Sequence, residues 1–261
     1  MNLDIQSILD GWPFEPGQLN VRKIIGKDGK EKIQLRLDLG LLQMEASGRP
    51  DGHRPFGHES LLDYYEHRRR HYERSHGSEK GFALDGPTCE KLRAEAVMYY
   101  HRYLSAFVLE DYQTVQRDTA RNLRVFDLCR RYAAEEADQM AQEPYRPYVL
   151  MMNARAKVHL ALDANQPKKA LRVLTDAIAS IRDHFHSLAM GAQAENSREI
   201  GILEEMARDI EDKIPVDPVE HLERELARAV REERYEDAAE LRDQLRSYEI
   251  RREGPETLPG L

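Results

Sequence analysis

The residues of this chain best spaced for chemistry lie between positions 49 and 76. His67 and His71 are four apart in the run HRRRH, so a helix would bring both imidazoles to one face, the placement a metal site needs. His53, His58 and His76 fall in the same region. The run lacks the glutamate of an HExxH zinc site, and three arginines between the histidines oppose a bound cation. A solvated basic helix face is the expectation, with no metal and no cofactor. Just upstream, GRPDGHRP holds Arg49, Asp51 and Arg54 among glycines and prolines. Arginines on so constrained a backbone can grip a carboxylate or phosphate with two N–H groups at once. These three form a candidate ligand loop. Their plainer role is to bridge segments of the fold, with Asp51 taking an arginine partner.

Other arrangements carry less. IGKDGKEK, from Ile25 to Lys32, has the glycines and lysines of a phosphate loop but no Ser or Thr after the lysine, and a strand pattern rather than a helix follows. Tyr99, Tyr100, Tyr103 and Tyr112 could line a concave peptide groove, although packing between paired helices explains the same spacing. No Ser-His-Asp set, Cys-His pair or carboxylate pair is placed for catalysis, so a non-enzymatic role is expected.

Function then rests on surfaces. Charged residues are 33% of the chain and aromatics 7%, a balance suited to helices with large solvated faces. From Met190 to Leu261 there are 20 acidic and 11 basic residues, so this region carries −9 of a net −8 and the rest is close to neutral. Such a tail repels phosphates, which disfavours nucleic acid as its partner. No apolar run has the roughly 18–20 residues of a membrane span, and MNLDIQSILDGW lacks the pattern of a secretory signal. Cys89 and Cys129, with no CxxC pair, suit a reducing compartment. The expectation is a cytoplasmic protein away from membranes.

The elements that must position these residues are mostly helical. Residues 1–57 are expected to hold a β-hairpin, turned at Asp28-Gly29, and the GRPDG loop. In its second strand Ile33, Leu35, Leu37 and Leu39 alternate on odd numbers, then Leu42, Met44 and Ala46 on even ones; the slip at Gly40 reads as a β-bulge in one long strand. Residues 58–214 read as a repeat-like helical domain. One helix-turn-helix unit turns at LEDYQ and the next at DANQP, with Val115 and Ala170 equivalent at an offset of 55. This is similar to tetratricopeptide pairs, without their 34-residue period. The class is mainly α (α+β): the hairpin packed on helical pairs, then a Pro-Val-Asp-Pro linker, a helical hairpin at 215–250 and a flexible tail at 251–261.

That last hairpin carries a resemblance. Its sequence, DPVEHLERELARAVREERYEDAAELRDQLRSYE, places Leu222, Leu226 and Val230 on what reads as one inner face. Tyr235, Ala238, Leu241 and Leu245 follow at helical spacing, with Asp217 and Glu220 as a capping pair. The run L-x3-L-x3-V-x2-E-R-Y-E-D-A-A-E-L-R-D-Q-L resembles the UVR motif found in UvrB and UvrC, in ClpC-type ATPases and in their regulator McsA. The resemblance implies a protein-docking hairpin, with Leu222, Leu226, Val230, Tyr235, Ala238, Leu241, Arg242 and Leu245 as partner-binding residues. It implies as partner another UVR-motif protein, a Clp-type ATPase or its regulator, or a second copy of this chain as a homodimer. The zinc CxxC pairs of McsA, the helicase motifs of UvrB and the nuclease site of UvrC are absent, so only the docking device carries over. The expected function is a bacterial adaptor or scaffold. An accessory role in excision repair through UvrB or UvrC, and a ligand or metal binder using 49–76, are the alternatives.

Overall fold

The computed structural model describes residues 4–213, 218–232 and 234–253. The chain divides into two compact units, Met1–Arg208 and Asp209–Leu261. The architecture is mainly α with a small antiparallel sheet, and the sheet and the helices through Ser187 share the first unit.

Three strands, β1 (Val21–Ile25), β2 (Glu31–Leu37) and β3 (Gly40–Glu45), form a meander in that order. The slip at Gly40 is therefore a turn, not a bulge. Asp38 and Leu39 form a two-residue loop, and Leu39 is 91% exposed at its tip. The register pairs Ile33 with Met44 and Leu35 with Leu42. In an antiparallel pair closed by two residues, odd positions face even ones, so the change of phase is what puts both strands' apolar residues on one side. Ile33, Leu35 and Met44 form a buried cluster, with Val21, Leu42, Ala46 and Leu109 against it. The opposite face is covered too. Gln34 is buried there and bonds Gln43 and Arg22, and Arg22 stacks over the Trp12 ring at 4.0 Å. Trp12 follows the short helix α1 (Gln6–Leu9).

The body is built from α2 (Leu61–His76), α3 (Gly86–Val108), α4 (Tyr112–Tyr132), the short α5 (Glu136–Met140), α6 (Arg146–Asp163) and α7 (Pro167–Ser187). After them come α8 (Gly191–Glu195) and α9 (Arg198–Glu211). Ser60 caps α2 through Asp63, and Gly77 ends it in the left-handed conformation. Helices α3, α4, α6 and α7 pack each on the next. The offset of 55 has a backbone counterpart. Asp111 N–H donates to the Ala106 carbonyl at 2.9 Å, and Gln166 N–H to Ala161 at 2.8 Å, each closing a helix end across a left-handed residue, Glu110 or Asn165. Val115 and Ala170, at the equivalent first turns of α4 and α7, are fully buried.

Asparagine tolerates the left-handed conformation, whereas the glutamate at 110, φ 57°, has a Cβ to accommodate. Glu110 is exposed, so Glu110→Gly should relieve that strain and stabilise the protein by about 0.5–1 kcal/mol. An upward shift in the urea midpoint at constant slope is the expected readout; an unchanged or lower midpoint would sink the idea.

Cys89 and Cys129 are free thiols in the core between α2, α3 and α4, and burial pushes the Cys129 thiol up to about 12. Three histidines also feel the interior. Burial pulls His101, His159 and His184 below the ordinary imidazole range, and His184 Nε2 sits 3.0 Å from the Glu143 carbonyl. A depressed folded-state pKa means that the unfolded chain binds the proton more readily. The histidines' contribution is therefore complete above about pH 6.5 and is lost as pH falls through the folded-state values. The melting temperature should drop between about pH 7.5 and about pH 5.5, before carboxylates titrate. A flat or rising melting temperature across that window would contradict the assignment.

Candidate protein-docking hairpin

The second unit contains a helical hairpin, α10 (Pro218–Arg231) and α11 (Tyr235–Glu253), whose two helices pack along each other. Asp217 as cap and most of the proline linker lie outside the described residues, as does the tail from 254. Leu222 and Ala229 are buried on α10, with Leu226 half-buried between them; Ala238 is buried on α11, with Leu241 and Leu245 half-buried. The inner face of α10 thus runs 222, 226, 229. Val230, grouped with that face by its sequence spacing, is 52% exposed. The reason is angular. Seven residues advance a helix by almost two whole turns, so 229 returns beneath 222, while 230 is rotated by about 80° from it. Ala229 was the position that sequence reasoning missed, and the 222-to-229 spacing was the signal for it.

The end of the hairpin joining the helices is held by polar contacts. Arg234 N–H donates to the Ala229 carbonyl at 2.9 Å, and its guanidinium pairs with Glu232 at 2.8 Å and with Asp237. The hydrogen bond from Arg234 holds the Glu232 carboxyl below its usual range. Arg228 approaches Glu232 at 3.4 Å and Glu225 at 3.5 Å. Tyr235, the first residue of α11, is 69% exposed. Val230 and Tyr235 therefore stand as large exposed side chains on either side of a turn held by ion pairs. Arg242 is exposed and pairs with Asp243 at 3.3 Å.

The candidate loop sits differently. The Arg49 side chain is largely buried; its Nε lies 3.1 Å from Glu95 Oε2 and its Nη2 3.4 Å from Asp51. The Glu95 contact is an ion pair rather than a hydrogen bond, since the Arg49 N–H is not aimed at the oxygen. Glu95, fully buried, also accepts from Arg121 and from the Leu61 N–H at 2.8 Å, capping α2. Burial pulls Arg121 down to about 9, which leaves it cationic at neutral pH. Next to this set, Arg102 grips Asp118 with two bonds, at 2.6 and 2.9 Å, and donates to the carbonyls of Glu45 and Gly48 at 2.9 and 2.8 Å. The arginine at 49 thus binds an internal carboxylate, and the loop joins sheet to helices. Arg54 remains exposed.

His67 and His71 are exposed on α2, and the His67 ring faces His58 at 5.3 Å. Among the described residues no group of three or more His, Cys, Asp or Glu side chains could hold a metal ion, and no helix is long and apolar enough to cross a membrane. Tyr99 and Tyr103 are buried between helices, and Tyr112 stacks on His159 at 4.2 Å.

In comparisons with known proteins, no curated protein and no solved structure matches the chain. Residues 217–251, the hairpin that leaves Val230 and Tyr235 in water, match the family model described as the UvrB/uvrC motif, UVR, a protein-interaction module.

Proposed function

We propose that this protein is a non-enzymatic adaptor or scaffold of the bacterial cytoplasm that docks a protein partner through its UVR-like hairpin. The observation that carries the reading is the coincidence of the family match with an exposed apolar pair, Val230 and Tyr235, at the turn of a 14- and a 19-residue helix. Aromatic side chains ringed by polar groups are the usual anchors of protein interfaces. The partner of this chemistry offers an apolar recess with a polar rim, as another UVR-type hairpin, a Clp-type ATPase or its regulator, or a second copy would. The −9 charge of the region from Met190 onward disfavours nucleic acid there.

Affinity capture from bacterial extract with three forms of the full chain tests this. Val230→Asp with Tyr235→Ala alters only exposed positions and should lose the partner with helicity intact. Leu241→Asp with Leu245→Asp places carboxylates at half-buried positions and should lose both partner and hairpin. A partner retained by the first variant would show that docking lies elsewhere. Recovery of UvrB or UvrC would place the adaptor beside excision repair, and recovery of a Clp-type ATPase beside proteolysis.

A further inference from the structure

A groove of about 700 Å³ opens between α3, α4 and the start of α6. Tyr103, Phe126 and Val149 form its buried floor, while Val97, Tyr100 and Tyr145 stand exposed at its rim. Its volume falls in the range of about 300–1,000 Å³ typical of small-molecule sites. Three features define what would fit. The lining is dominated by aromatic rings: Tyr100 meets Tyr103 edge-on at 5.5 Å and Tyr148 at 6.4 Å, which suits a flat apolar guest. Among the described residues the one charged side chain in the lining, Arg93, is neutralised by Asp138 at 2.6 Å, so a charged guest would be desolvated without a counterion. Burial pushes the Tyr103 phenol up, so it stays neutral.

The third feature is an unmet hydrogen bond. Asn122, in the same lining, is satisfied: its amide donates to the Ala96 carbonyl at 2.9 Å and its oxygen accepts from Arg121 at 3.0 Å. Gln142 is not. It is 5% exposed, it lines the groove, and its Oε1 is buried with no donor among the described residues. Buried acceptors of this kind are rare in folded proteins because they are costly. We propose that the groove binds an uncharged aromatic small molecule carrying an N–H or O–H donor, and that the Gln142 side chain, whose oxygen is closed off and unmet in the free protein, turns toward the groove to accept that donor. This site belongs to the first unit and does not depend on the docking hairpin.

The test uses the full chain and two matched probes. N-phenyl-1-naphthylamine is uncharged, aromatic and carries one N–H, and 1-phenoxynaphthalene replaces that N–H by an ether oxygen. The amine should bind at one saturable site, and the ether should compete at least about fivefold more weakly. Gln142→Leu should abolish that difference. Val97→Arg, at the exposed rim, should weaken amine binding about tenfold or more, from an arginine projecting into an apolar mouth, with unchanged circular dichroism and melting. Unsaturable binding, equal affinity of the two probes for the native protein, or full binding by Val97→Arg would overturn the proposal. Should Gln142→Leu fail to fold, the probe pair on native protein and the Val97→Arg variant decide it.

Discussion

Arg102→Met is expected to destabilise the first unit by about 3–5 kcal/mol, because it removes one partner of a buried ion pair and leaves the other charged. Arg102 and Asp118 are each about 1% exposed, and the pairing is bidentate. The same guanidinium satisfies two main-chain carbonyls, Glu45 at the end of β3 and Gly48 in the following turn. Loss of the side chain therefore leaves three acceptors short of donors and unties the sheet from α3 and α4. Arg117, whose Nε lies 2.9 Å from Asp118 but whose side chain is 48% exposed, tempers the cost without replacing the bond. Thermal unfolding should shift down by on the order of 10 °C for a unit of this size. The double variant Arg102→Met with Asp118→Leu should recover much of the loss, since exchanging a buried pair for packed apolar groups is often neutral. It should not recover all of it, because the Glu45 and Gly48 carbonyls stay without their donor. A single variant that melts within about 1 kcal/mol of the native protein would show that this pair does not hold sheet to body.

Tyr235→Ala is expected to weaken partner binding by about 2 kcal/mol or more, roughly thirtyfold in Kd. Tyr235 is 69% exposed, so truncating it in the free protein opens no cavity and disturbs little. Its loss would be felt only where a partner buries the ring. Val230→Asp, half-exposed beside the same turn, should add to the effect by placing an unpaired carboxylate in the interface. Arg242→Ala, at a residue the resemblance also assigns to docking, should cost less, under about 1 kcal/mol in Kd, because Arg242 is an exposed charge already paired with neighbouring Asp243 in solvent. Calorimetric titration against the captured partner separates the three. Binding unaffected by Tyr235→Ala, with helicity preserved, would remove the turn from the interface.

Both predictions bear on how far the sequence could be read. The UVR-like run was legible because its information is local. A helix returns to the same face every seven residues, so Leu222, Leu226, Ala238, Leu241 and Leu245 reveal the hairpin wherever it sits. The same locality exposed the Asp28-Gly29 turn and the 55-residue offset that Glu110 and Asn165 repeat in the backbone. The change of phase at Gly40 is equally visible in the sequence, but alternation alone cannot tell a bulge from a two-residue turn; the pairing of Ile33 with Met44 can.

The sequence by itself determined the mainly helical class, the turns at LEDYQ and DANQP between paired helices, the acidic C-terminal region and the UVR-like motif. Only the tertiary structure decided which charged residues leave water. Glu95, Arg102, Asp118 and Arg121 look like ordinary solvated positions along their own helices, yet they converge inside the first unit, where Arg49 from the bridging loop meets them. Whether a helical position is inside depends on what lies opposite, and Arg102 meets Glu45 across 57 residues of chain. Gln142 follows the same logic, being a polar loop residue whose oxygen is enclosed by helices that no local pattern ties to it.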